Sequence, residues 1–369
     1  MNRSFDPILK GCKVLELAGV LAGPSVGMFL AELGADVIKV ENPATGGDVT
    51  RSWKLPIEPE EATGSSYFNS VNWGKSSLFI DLNTKEGREK VYRHIETTDI
   101  LITSYKPGDA EKLGMTPEKL HSINPGLIYA AVTGFGTNDK RAAYDALIQA
   151  ESGFMHLNRQ PGGEPLKMPV ALIDILAAHH LKELVLIAWI QKLKTGEGSF
   201  VDVSLFEAAV SSLANQAGAW LHAGEDPTPL GSEHPHIFPY GGTFKTADDR
   251  FVILAVGSDR QFQKLCKVLN MEEVSQDPRF KTNQQRSANR DDLRPMLTRK
   301  FRQVKNAADC IEKLQSESIP CGLVSTVSEA VEAYRTGFPT HSDHSITGIP
   351  TLCGRINRIR ASKNLQRPE

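Results

Sequence analysis

The chain has 369 residues, 40% of them hydrophobic, and a formal charge of -2 at pH 7. A chain of that length can bury a large core spread over two or three domains, and its near-neutral balance excludes a dedicated nucleic-acid binder in favour of a small-molecule partner. With no apolar run of about eighteen residues, no signal-peptide pattern in MNRSFDPILKGCKVLELAGV and five dispersed cysteines without a CxxC pair, a cytoplasmic location, reduced thiols and no membrane partner are expected.

In chain order, KVLEL (Lys13 to Leu17) reads as a short apolar strand and AGVLAGPSVG as a small-residue turn. MFLAELGA then has helical spacing and ends at Gly34, and DVIKVE (Asp36 to Glu41) is a second strand closed by an acid. This is a βαβ unit of mononucleotide-binding size. Its glycines, Gly19, Gly23 and Gly27, follow G-x3-G-x3-G instead of G-x-G-x-x-G, which counts against a nicotinamide-dinucleotide dehydrogenase. A second unit follows, with a strand at Leu78 to Leu82, a helix N-capped by Thr84 and a strand at Ile100 to Ile102. LIYAAVTGFG supplies another buried strand, so an α/β fold on a parallel sheet is expected.

Asp174 opens a long amphipathic helix that is closed by lysines and Gly196, and strand FVDVSLF and helix EAAVSSLANQAGAWLHAG follow it. Near Gly224 the chain turns rich in proline, glycine and polar residues, as a linker does. Beyond lies a smaller α+β segment, with a hairpin turning at Asp248 and Asp249 and three helices. From Pro320 the pattern is short strands and turns, with a basic end at Arg355, Arg358, Arg360, Lys363 and Arg367 that reads as a solvated face.

The residue that raises a chemical question is Asp174, alone among apolar neighbours in MPVALIDILAAHH. As an N-cap its carboxylate would accept the orphan amide hydrogens of the first helical turn. The same position at the positive end of the helix dipole suits an ionised nucleophile that attacks a thioester, forms a mixed anhydride and then holds CoA as an enzyme thioester. Such a step needs donors for the oxyanion, and the glycine-rich PYGG (Pro239 to Gly242) and TGFG (Thr133 to Gly136) are candidates. Among histidines, His179 and His180 lie on the long helix, while HPH (His234 to His236) and HSDH (His341 to His344) lack a matching ligand set, so no metal is expected.

From Gly11 to Trp53, GCKVLELAGVLAGPSVGMFLAELGADVIKVENPATGGDVTRSW resembles the opening signature of the class III CoA-transferases, the CaiB/BaiF group. The likeness continues in order through NWGKSSLFIDLNTKEG, YKPGDAEKLGM, NPGLIYAAVTGFG, YDALIQAESGFM, TGEGSFVDVSLFEA, HPHIFPYGG, GSDRQFQKLC, DPRFKTNQQRSANR and IPCG, to Gly322. The resemblance implies a large doubly wound, Rossmann-like CoA-binding domain over 1–223, a smaller α+β domain over 224–325, and a return to the large domain over 326–369. It further implies an interlocked homodimer, coenzyme A as acyl-CoA co-substrate and a small carboxylic acid as partner.

By the same resemblance the catalytic aspartate falls on Asp174 and the glycine loop on Gly241 and Gly242. Val20, Leu21, Ala22, Lys75, Ser104 and Lys112 fall near the cofactor, with Lys75 and Lys112 neutralising CoA phosphates, and Tyr144 and Asp145 line the acyl side. Leu21 stands where oxalate-type members carry glutamine, Lys75-Ser76 where many carry KR, Ser104 for an asparagine and Lys112 for an arginine, departures that speak against formyl or oxalate specificity. The family's usual closing segment is not seen, so an abbreviated end to the large domain is expected. A racemase of the same fold would need a second base where Tyr144 stands, and a non-catalytic CoA-binding member is the remaining alternative.

Overall fold

The computed structural model describes residues 7–337, 340–343, 346–356, 359–360 and 365–366. Contacts divide the chain into two units, one of Met1–Phe154, Lys167–Gly218 and Phe338–Glu369, the other of Met155–Leu166 and Ala219–Gly337. The boundaries therefore differ from 1–223 and 224–325. The stretch 155–166 joins the second unit because Arg159 accepts a backbone hydrogen bond from Gly231 at 3.0 Å.

The first unit is built on six parallel strands, β1 (Lys13–Leu17), β2 (Asp36–Glu41), β3 (Lys75–Phe79), β4 (Ile100–Thr103), β5 (Ile128–Thr133) and β6 (Ser199–Ser204). Their order is β3-β2-β1-β4-β5-β6, so the chain winds outward in both directions from a switch point between β1 and β4. Every residue of β4 and β5 is buried, as in parallel strands covered on both faces. Side chains alternate along β1: Val14 joins the core that holds α1 (Ala22–Glu32) and α5 (Leu172–Thr195), and Leu15 joins the core under α2 (Lys85–Ile95). Thr84 caps α2 as expected, accepting from the Gly87 amide at 3.0 Å.

Two of the three early glycines are there for close approach. A Cβ on Gly23 would stand 2.4 Å from that of Ala18, and one on Gly27 would stand 1.9 Å from Glu16 Oε2. The strand expected at Leu78 to Leu82 starts earlier, at Lys75 opposite Val37, because the Lys75 ammonium is neutralised inside by Glu16 at 2.8 Å. An apolar-pattern reading excludes such a residue from a strand.

The second unit carries a three-stranded antiparallel sheet, β7 (Tyr240–Lys245), β8 (Phe251–Ala255) and β9 (Cys321–Leu323), with its own core around Phe238, Phe244, Phe262 and Phe301. The expected hairpin turn is present, with Asp249 left-handed at φ +61°. Where turns were expected after Pro320, Val327–Gly337 is a helix, and Val327, Ala330, Val331 and Tyr334 have its i, i+3, i+4, i+7 spacing. Arg358, Lys363 and Arg367 of the basic end and His344 of HSDH lie outside the described residues.

The last segment, from Phe338 on, belongs to the first unit. Buried Glu32 at the end of α1 holds it, accepting from His341 Nε2 at 3.1 Å, Thr351 N–H at 2.7 Å, Thr351 Oγ1 at 3.0 Å and Leu352 N–H at 2.8 Å. Among the described residues no helix is long and apolar enough to cross a membrane.

Candidate active site

A cavity of about 340 Å³ opens at the carboxyl ends of the strands in the first unit, the crevice where open α/β sheets take their ligands. Gly19 to Gly23 after β1, Ser104 to Lys106 after β4, Thr133 and Gly134 of the β5 end, and Leu205 after β6 line it. Tyr144, Asp145 and Asp174 complete the wall.

Asp174 lies in the first turn of α5, 9% exposed, but it is not the cap: the N-cap is Ala171, which offers no side-chain bond. Capping is done from α4 (Asp145–Glu151), where Asp145 Oδ1 accepts the Ile173 amide hydrogen at 2.8 Å. The other Asp145 oxygen accepts from Gln149 Nε2 at 2.6 Å and lies 3.7 Å from Lys167 Nζ. Gln149 also accepts from the Met168 amide at 2.8 Å and so ties down the segment that leads into α5.

Asp145 is thus fully engaged, while no donor reaches the Asp174 carboxylate among the described residues. Burial first, and then the negative charge of Asp145, push the Asp174 carboxyl up to about 7 against the weaker pull of Lys167. An unpaired carboxylate at a helix N-terminus, facing a cavity, is a reactive oxygen in search of an electrophile.

The loop after β1 is held from below. Val20 is left-handed at φ +68°, which for a β-branched residue costs about 1–3 kcal/mol. Its amide donates to Asp48 Oδ2 and Oδ1 at 3.2 and 3.4 Å, and the Gly19 amide donates to Ser104 Oγ at 3.2 Å. Lys39 pairs with Asp48 and with Glu16, both at 2.9 Å, and donates to Ala18 O at 2.7 Å. Burial opposes the Lys39 charge, yet Glu16 and Asp48 outweigh it and hold the ammonium above its usual range.

Of the residues expected at a site, the structure gathers Val20, Leu21, Ala22, Ser104, Tyr144, Asp145 and Asp174 around this one cavity. Lys75, expected to neutralise a CoA phosphate, has its ammonium buried on Glu16, Pro24 O and Asn72 Oδ1, each at 2.8 Å. Burial lowers it to about 8 despite the Glu16 charge. Lys112 sits on the short helix α3 (Asp109–Leu113), exposed and paired with Asp109 at 3.2 Å, outside the cavity wall.

Gly241 and Gly242 belong to β7 of the second unit, where a Cβ on Gly241 would stand 2.0 Å from Ser232 O. Lys106 and Arg141, both exposed on the cavity wall, were missed. Their neighbours in sequence carry no pattern that separates them from ordinary surface cations. Glu41, the acid at the end of β2, binds Arg51 at 2.6 and 2.7 Å instead of facing the cavity. His179 is exposed and His180 lies 3.4 Å from Ser211 Oγ.

The profile of the family described as CoA-transferase family III matches residues 9–340. The chain is 39% identical over 330 residues to the succinate–glutarate CoA-transferase of Agrobacterium fabrum, covering 88% of this chain and 81% of that protein. It is 30% identical to the succinyl-CoA:glutarate CoA-transferase of Homo sapiens, covering 96% and 82%. A crystal structure of a CAIB/BAIF family protein from Brucella suis matches with a TM-score of 0.89 at 37% identity, covering 98% of this chain and 96% of that one. The chain belongs to the CoA-transferase family III, the CaiB/BaiF group, and is a class III CoA-transferase.

Proposed function

We propose that the protein moves CoA reversibly from an acyl-CoA to a free carboxylic acid, with Asp174 as the covalent relay. The observation that carries this reading is a buried carboxylate with no donor among the described residues, in the first turn of α5, on the wall of the strand-end cavity. An Asp174 oxygen attacks the thioester carbonyl, the C–S bond breaks, and CoA leaves as thiolate from a mixed anhydride. The thiolate then attacks the Asp174 carbonyl, expelling the donor acid as carboxylate and leaving an aspartyl-CoA thioester. The acceptor carboxylate repeats both steps in reverse and restores Asp174. One negative charge passes through every stage, so no proton has to be supplied.

The loop from Gly19 to Gly23 and Ser104 border the space for the CoA, and Tyr144 and Asp145 border the acyl group. Gly241 and Gly242 are proposed to shield the intermediates, and the working form is proposed to be an interlocked homodimer. Two relatives are named for succinyl-CoA, succinate or glutarate, which makes short dicarboxylates the first acids to offer.

The test incubates the protein with a panel of CoA thioesters and acids, beside Asp174→Ala, and looks for a covalent CoA adduct by intact mass. Loss of the adduct and a fall in transfer of about a thousandfold or more are expected. An alanine variant that transfers CoA as fast as the parent overturns the relay. Rapid α-proton exchange into a 2-methylacyl-CoA without transfer would favour racemase chemistry instead.

A further inference from the structure

The geometry assigns Asp48 as a positioning residue, whose carboxylate clamps Val20 in its left-handed conformation and thereby sets the cavity loop that takes the acyl-CoA. The inference rests on the reading that this loop faces CoA. Four buried charges form one neutral network under the loop: Lys75 on Glu16, Glu16 on Lys39, Lys39 on Asp48. The network touches the loop backbone at three points, Ala18 O and Pro24 O through the two lysines and the Val20 amide through Asp48.

Asp48 is itself fixed by the Thr50 amide at 3.0 Å, the Thr50 hydroxyl at 2.8 Å and Lys39. Glycine makes room for the network at Gly27, where a Cβ would stand 1.9 Å from Glu16 Oε2. A core network that served stability alone would have no need to hold a valine where glycine rests freely. Burying four charges beneath one loop and spending an amide bond on its strained residue reads as preorganisation of a binding surface.

The experiment measures two things on the full-length protein: hydrogen exchange of the segment from Ala18 to Ser25, and binding of free coenzyme A by calorimetry. Asp48→Ala is expected to speed exchange there and to weaken CoA binding, each about tenfold. Asp48→Asn, which keeps an acceptor but not the ion pair, should do so less and covers the case in which the alanine variant fails to fold. The decisive arm is Val20→Gly, because glycine needs no clamp: in that background the effect of either Asp48 change should shrink below about threefold.

Unchanged exchange or unchanged CoA affinity in folded Asp48 variants overturns the assignment. So does an equal effect in the Val20→Gly background, which would mark general destabilisation. If the parent binds no CoA, the functional reading fails, while the exchange arm alone still decides the clamp.

Discussion

Asp145 and Asp174 look onto the same cavity, and what separates them is the number of donors each has found. Because burial and Asp145 raise the Asp174 carboxyl to about 7, the folded chain keeps a proton there that the unfolded chain releases near pH 4. A raised carboxyl makes stability fall as pH rises from about 4 to about 7, since the folded state must then carry an unpaired charge. Asp174→Asn should therefore stabilise the protein at pH 8, by at most about 4 kcal/mol, and do nothing at pH 4. Denaturant midpoints at the two pH values check it, and an equal effect at both would sink it. Activity runs the other way, because only the carboxylate attacks: kcat/KM should climb through pH 7 to a plateau. Asp145→Asn removes the neighbouring charge, so the acid limb of that profile should move to lower pH.

At the scale of the element, what the sequence discloses is local. The cap of α2 was legible because Thr84 and the amide it serves are three residues apart, and the strands were legible where they are mostly apolar and buried throughout. The cap of α5 was not, because Asp145 reaches Ile173 across 28 residues, and the presence of Asp174 in the first turn suggested a simpler cap. The burial of Lys75 was hidden for the same reason: it depends on Glu16, 59 residues away.

The end of α1 carries a comparable long-range device in Glu32, which accepts four hydrogen bonds from the closing segment. Glu32→Gln turns one acceptor into a donor facing donors and should cost about 1–3 kcal/mol. Glu32→Ala, which strips all four, should cost about 3–5 kcal/mol. Urea midpoints give the size, and limited proteolysis should show cleavage after Thr340 rising first. A variant that keeps the parent midpoint would show that the latch contributes nothing.

For the whole molecule, the parallel sheet and its crevice were legible because a strand–helix–strand pattern leaves few topologies. The unit boundaries were not, because 155–166 is joined to residues far along the chain. Each unit has a core of its own, and separate cores make separately cooperative units. Phe301 tests this directly: it is fully buried in the second core and stacks on Phe244 with ring centroids 4.9 Å apart. Phe301→Ala should cost that core about 3–5 kcal/mol. Hydrogen exchange should then quicken in peptides from 219–337, with protection in β1, β4 and β5 unchanged. Equal acceleration in both units would mean that they unfold as one, and the second core would then have to be read as part of a single cooperative body.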